Sequence, residues 1–130
     1  MGRKLVDAKI IGIDHYTIHV KDLVASIHFY TEVVGFALMP RPSFDFEGAW
    51  FAINDTQSIH LIKDEKAEVA SGSRQLHFAF KVGSLDDIIA ISIEMDLDFL
   101  GPKTRPDGVK SIFVKDPSGY FLEFVDQSLI

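Results

Sequence analysis

The stretch Ile13-Asp14-His15-Tyr16-Thr17-Ile18-His19-Val20-Lys21-Asp22-Leu23 decides the fold, because its periodicity changes partway along. Across residues 10–20 the side chains alternate, with His15, Thr17 and His19 on one face and Tyr16, Ile18 and Val20 on the other. That is the period of a strand. From Asp22 onward the apolar positions Leu23, Ile27, Tyr30 and Val34 recur at helical spacing, with Asp22 placed to cap the helix and Gly35 to end it. Extended runs at 36–41, 47–53 and 57–63 follow, separated by Pro40, Pro42 and Asn54-Asp55. Strand, helix and three strands make one βαβββ module.

The same order returns downstream. A strand at 75–82 alternates, Ser84 caps a helix with Asp87 three residues later, and Leu85, Ile88, Ser92 and Met95 share its inner face. Runs at 99–104, 109–115 and 120–126 complete the set, and Asp116-Pro117-Ser118-Gly119 is a strong turn between the last two. We therefore expect an α+β domain spanning residues 1–130. Module one covers about 10–64, module two covers about 75–126, and the charged, small-residue segment 65–74, with Ser71-Gly72-Ser73, links them.

Four polar residues repeat with the modules. His15 and His77 are 62 positions apart (77 − 15), and His60 and Glu123 are 63 apart (123 − 60). Each module thus carries one such residue on its first strand and one on its last. A lone strand histidine is more often a core or surface residue than a ligand. Four at repeat-related positions point instead to a metal centre. Three imidazoles and a carboxylate suit a divalent transition ion (Ni, Zn, Fe, Mn or Co) and leave positions open for water or substrate. Burying Glu123 in an apolar strand also calls for a cation or a hydrogen-bond partner. His19 cannot share an ion with His15, because four strand residues at about 3.3 Å each hold them roughly 13 Å apart. It is read as a pocket or barrel-end residue, and His28 as structural.

Composition narrows the function classes. The 130 residues carry 13 Lys+Arg against 19 Asp+Glu, a net charge of −6, which argues against a nucleic-acid partner. No apolar run approaches the roughly 20 residues of a membrane span. The start Met1-Gly2-Arg3-Lys4-Leu5-Val6-Asp7 has no apolar core for a signal peptide and no Ser or Thr at position 6 for myristoylation. With no cysteine, disulfides, thiolate nucleophiles and Cys-based zinc sites are out, and the cytoplasm is the expected compartment.

Residues 13–23, then Ser26-Ile27-His28-Phe29-Tyr30-Thr31-Glu32-Val33-Val34-Gly35-Phe36, and Asp116-Pro117-Ser118-Gly119-Tyr120-Phe121-Leu122-Glu123-Phe124 resemble the opening and closing motifs of the vicinal oxygen chelate superfamily. That superfamily holds glyoxalase I, fosfomycin-resistance proteins, methylmalonyl-CoA epimerase, extradiol dioxygenases and bleomycin-resistance proteins. The resemblance covers about residues 10–126. It implies paired βαβββ modules in curved mixed sheets, a homodimer, and metal ligands at His15, His60, His77 and Glu123. Bleomycin-resistance proteins lack these ligands, so their presence here favours a metalloenzyme. Fosfomycin-resistance enzymes and extradiol dioxygenases use three positions, matching His15, His77 and Glu123. Glyoxalase I adds the fourth, usually as Glu where this chain has His60.

The function expected from this resemblance is a glyoxalase-like lyase or isomerase acting on a small molecule with adjacent oxygens. The metal would stabilise an enediolate as Glu123 takes a proton. His19, Phe46, Trp50, Tyr120 and Arg41 are candidate pocket residues, with Phe44 as a further wall and Lys103 or Arg105 as holders of an acidic group. Glutathione is a candidate cosubstrate. The alternatives are an extradiol-type Fe(II) dioxygenase with His60 as acid or base, a thiol transferase, and a bleomycin-resistance-like binding protein without catalysis.

Overall fold

The computed structural model describes residues 2–68 and 77–126. The chain divides into two compact units, Met1–Lys66 and Ala67–Ile130, a boundary within the segment read as the linker. Gln75 and Leu76 of the expected fifth strand, and the linker's Ser71-Gly72-Ser73, lie outside the described residues.

The first unit is a four-stranded mixed sheet. β1 (His15–Val20) pairs in parallel with β4 (Ser58–Lys63), which continues antiparallel to β3 (Gly48–Ala52) and then β2 (Ala37–Met39). Strand β1 begins at His15 instead of residue 10. Its ladder can start only where β4 starts, and Ser58 both pairs with His15 and donates its backbone N–H to the Asp14 carbonyl. Alternation in the sequence cannot report where a partner strand runs out. Upstream lies a 3-10 turn over Leu5–Ala8, and Ile10, Ile11 and Ile13 are exposed.

Asp22 caps α1 (Leu23–His28), its Oδ1 accepting from the Ala25 N–H at 3.0 Å. The helix then widens into a π-helical turn, Phe29–Val34, and closes at Gly35 with φ 93°. This widening rotates the later residues around the axis. The buried stripe is Ser26, Phe29 and Tyr30, at ordinary i, i+3 and i+4 spacing, so of the expected inner face only Tyr30 is fully buried and Leu23, Ile27 and Val34 are half-buried. Tyr30 packs on Phe51 at 5.8 Å, over a core that includes Ile18, Val20, Ile59 and Leu61. His28, read as structural, is exposed.

The second unit repeats the plan. β5 (His77–Val82) runs parallel to β8 (Phe121–Asp126), followed by β7 (Lys110–Lys115) and β6 (Phe99–Thr104). Ser84 Oγ accepts from the Asp87 N–H at 3.1 Å and starts α2 (Leu85–Glu94), which packs on β7 and β8. Leu85 and Ser92 are buried and Ser92 Oγ donates to the Ile88 carbonyl at 2.7 Å, so the inner hydroxyl is satisfied. Met95, expected on that inner face, is 48% exposed, because the helix ends one residue earlier and the chain turns away. The α+β architecture of two four-stranded mixed sheets matches the expectation.

Candidate metal centre

Register places the four repeat residues. In the first unit His15 lies opposite Ser58 and Thr17 opposite His60, so His15 and His60 are diagonal neighbours on one face. In the second unit His77 lies opposite Phe121 and Ala79 opposite Glu123, the same diagonal. The repeat therefore extends from residue spacing to strand register: in both units the last-strand residue sits two positions beyond the partner of the first-strand residue.

Within the second unit, Nε2 of His77 lies 3.2 Å from Oε1 of Glu123, whose residue is 9% exposed. Two elements fix this pairing. The parallel ladder aligns β5 with β8, and the 116–119 turn sets where β8 starts. Asp116, itself buried, accepts the Ser118 and Tyr120 N–H groups at 2.9 and 2.8 Å through Oδ1, and its carbonyl accepts from Gly119. Gly119 adopts φ 99°, which suits glycine. Phe113 meets the His77 ring edge-on at 5.4 Å and restricts its swing.

Within the first unit the imidazoles stack. His60 lies between His15, at 3.8 Å between ring centroids, and Trp50, at 3.9 Å. Trp50 is the direct cross-strand partner of His60, so the sheet itself brings the rings face to face. Asp14 Oδ2 holds His15 Nδ1 at 2.7 Å and Ser58 Oγ holds His60 Nε2 at 3.1 Å. A carboxylate on Nδ1 sets the tautomer that leaves the His15 Nε2 lone pair for a cation. Burial and then the neighbouring His15 push the His60 pKa below its ordinary value, which favours the neutral ring, the form that ligates.

These donors fit a divalent ion in kind: imidazole nitrogens oriented by hydrogen bonds, and a nearly buried carboxylate against an imidazole. Among the described residues, no group of three or more His, Asp or Glu side chains is gathered as a metal site.

A cleft of about 510 Å³ opens on the first unit beside His15 and His60, walled by Trp50, Phe44 and Met39 and edged by the 54–58 loop. Of the residues read as pocket walls, Trp50 and Phe44 line this cleft. Arg41 and Phe46 stand behind it: the guanidinium packs on the rings of Phe44 and Phe46, at 4.9 and 5.0 Å, and donates to the Phe46 carbonyl. His19 sits at the far end of β1, its Nδ1 2.9 Å from Asp64 Oδ2. Tyr120 belongs to the second unit, next to the 116–119 turn. There Arg105 is tied to Asp107 through both Nε and Nη2, and that bond, with a smaller contribution from the Glu123 charge, raises its pKa. Asp14 and Ser58, which orient the two histidines, were not among the expected site residues. The signal was present for Ser58, two positions before His60 on the same strand face.

Paired βαβββ modules with equivalent diagonal residues define a glyoxalase-like α+β protein. The chain belongs to the Glyoxalase/Bleomycin resistance protein/Dioxygenase superfamily, whose family model matches residues 12–124. It is 26% identical over 122 residues to glyoxylase I 4 of Arabidopsis thaliana, covering 88% of this chain and 70% of that one. It is 30% identical over 122 residues to the metallothiol transferase FosB of Bacillus licheniformis, covering 88% and 75% respectively. The crystal structure of a glyoxalase family protein from Bacillus anthracis superposes with a TM-score of 0.77 at 27% identity, covering 90% of this chain and 95% of the other. Among the described residues, no helix is long and apolar enough to cross a membrane.

Proposed function

We propose that the protein is a metal-dependent, glyoxalase-like lyase or isomerase acting on a small molecule with two adjacent oxygens. In this reading His15, His60, His77 and Glu123 hold one divalent transition ion. When bound, the ion supplies Lewis-acid stabilisation of negative charge developing on the substrate oxygens. Glu123 takes the proton from the neighbouring carbon and His77 orients its carboxylate. Asp14 fixes the tautomer of His15, while Ser58 and Trp50 hold the His60 ring in its orientation. The observation that carries the reading is the His77–Glu123 contact of 3.2 Å, mirrored in register by His15 and His60.

The 30% identity to a metallothiol transferase favours a second reading, in which the same ligands serve transfer of a thiol to a small electrophile. A homodimer belongs to both readings, supported by the edge positions of β1 and β5 in their sheets and by the exposed Ile10, Ile11 and Ile13. Light scattering that returns a monomer of about 15 kDa at micromolar concentration would remove the dimer from the proposal.

The decisive measurement is elemental analysis of the purified protein beside the His77→Ala, Glu123→Ala double variant. It should be followed by assays of metal-loaded protein on α-oxo aldehydes with and without thiol. Wild type should carry about one divalent ion per chain and the double variant almost none. Equal metal in both would overturn the ligand assignment.

A further inference from the structure

The cleft beside His15 and His60 has two chemically different walls. One is apolar and flat, made by Trp50, Phe44 and Met39. The other is a polar rim, and its 54–57 loop is held rigid from within. Asn54 Oδ1 accepts from the Thr56 N–H, the Thr56 hydroxyl and the Gln57 N–H, while its amide donates to Gln57 Oε1 at 3.0 Å. Asp55 and Gln57 of this loop line the cleft together with Asp14. Among the described residues, the only formally charged side chains on these walls other than histidine are Asp14 and Asp55, and no Lys or Arg lines them. Arg41, the nearest candidate, is covered by two phenyl rings and bonded to a backbone carbonyl.

We infer that this cleft selects an uncharged, hydroxyl-rich carbonyl compound and rejects its phosphorylated or carboxylated analogues. This inference rests on the reading that the substrate brings adjacent oxygens to the His15 side. Carboxylates and amide oxygens accept from hydroxyl groups, and the apolar wall takes the C–H face of the same molecule. An anionic group beside Asp14 and Asp55 meets like charge and, among the described residues, no Lys or Arg side chain on these walls to answer it. The volume of about 510 Å³ suits a small molecule of this class. Glutathione adducts, with two carboxylates, are disfavoured by the same rule.

Trp50 is the sole tryptophan of the chain and lines this cleft, so its fluorescence reports occupancy without any assay of turnover. The test titrates the full chain, as purified and again after chelation, with dihydroxyacetone and with dihydroxyacetone phosphate. The two probes differ in the phosphoryl group. We expect dihydroxyacetone to bind at least about tenfold more tightly in the chelated preparation, where no bound ion answers the phosphoryl charge, a difference of about 1.4 kcal/mol. Asp55→Lys should bring the ratio to about one or below, and Asp55→Asn should shift it part of the way. Raising the salt should also narrow it, since exposed charges are screened beyond about a Debye length. Equal or tighter binding of the phosphate by chelated wild type, no change of the ratio in either variant, or no response to either probe would overturn the inference. Metal content separates the two claims. A protein without metal that keeps the ratio defeats the proposed chemistry alone, and a metalloprotein without the ratio defeats this inference alone.

Discussion

Trp50 and His60 lie face to face across neighbouring strands, their ring centroids 3.9 Å apart and their planes within 6° of parallel. They are direct cross-strand partners of β3 and β4, so the contact follows from sheet register and needs no loop to adjust. With His15 on the other side of His60, the three rings form a short stack along the cleft, and Asp14 holds the His15 end. Stacking holds the His60 ring in a fixed plane while Ser58 chooses its rotation.

The stack should be measurable as stability. Trp50→Ala removes the ring that holds one face of His60 and should destabilise by about 2 kcal/mol, less than a fully buried aromatic because Trp50 is half-buried. Trp50→Phe keeps a ring in place and should recover about half of that loss. Urea unfolding of the three proteins checks the order.

The chemistry of the site divides between Glu123 and His60. Glu123→Gln keeps an oxygen donor but cannot accept a proton, so turnover should fall by about 100-fold or more even at saturating metal. His60→Ala should weaken metal affinity about 10–100-fold and recover much of its turnover once metal is saturating. Assays across a metal titration distinguish the two. Full recovery of Glu123→Gln would make Glu123 a ligand only.

Gly48 opens β3 where the backbone of β4 passes close by. A Cβ built there meets the Leu61 carbonyl oxygen and sits 3.1 Å from the Arg41 guanidinium. Gly48→Ala should therefore cost about 1–3 kcal/mol as the strands part. Gly12→Ala, with open space around it, should stay within about 0.5 kcal/mol of wild type. Chemical denaturation of both variants gives the comparison.

The His19–Asp64 contact predicts an acid dependence. The hydrogen bond from His19, then the Lys66 N–H, lowers the Asp64 pKa below its ordinary value. A carboxyl with a lowered folded-state pKa contributes stability above its unfolded pKa of about 3.9 and loses it as pH falls through the lower folded value. The denaturation midpoint should drop less steeply below about pH 4 in Asp64→Asn than in wild type. Identical slopes would show that the contact does not persist in solution.

Much of this was legible in residue order. Alternation at His15–Val20, the Asp22 and Ser84 caps, the 116–119 turn and the spacing of His15, His60, His77 and Glu123 are local or periodic features, set by a few neighbouring dihedrals and by side-chain direction along one element. They suffice to read the repeated module and the residues on its first and last strands. What needed the tertiary structure depends on partners distant in the chain. The start of β1 follows from where β4 begins, and the inner face of the first helix, Ser26, Phe29 and Tyr30, follows from which side packs on the sheet, a choice that helical spacing alone does not make. Trp50, ten residues before His60, reaches its ring only because β3 and β4 fold back on each other in one register, and a slip of one residue would turn Trp50 to the core face. Asp14 and Ser58 hold their imidazoles one and two residues along the chain, contacts within reach of a sequence reading. What strand pairing alone decides is that His15, His60 and Trp50, on three different strands, meet in one stack, because contact between strands depends on register and not on residue order.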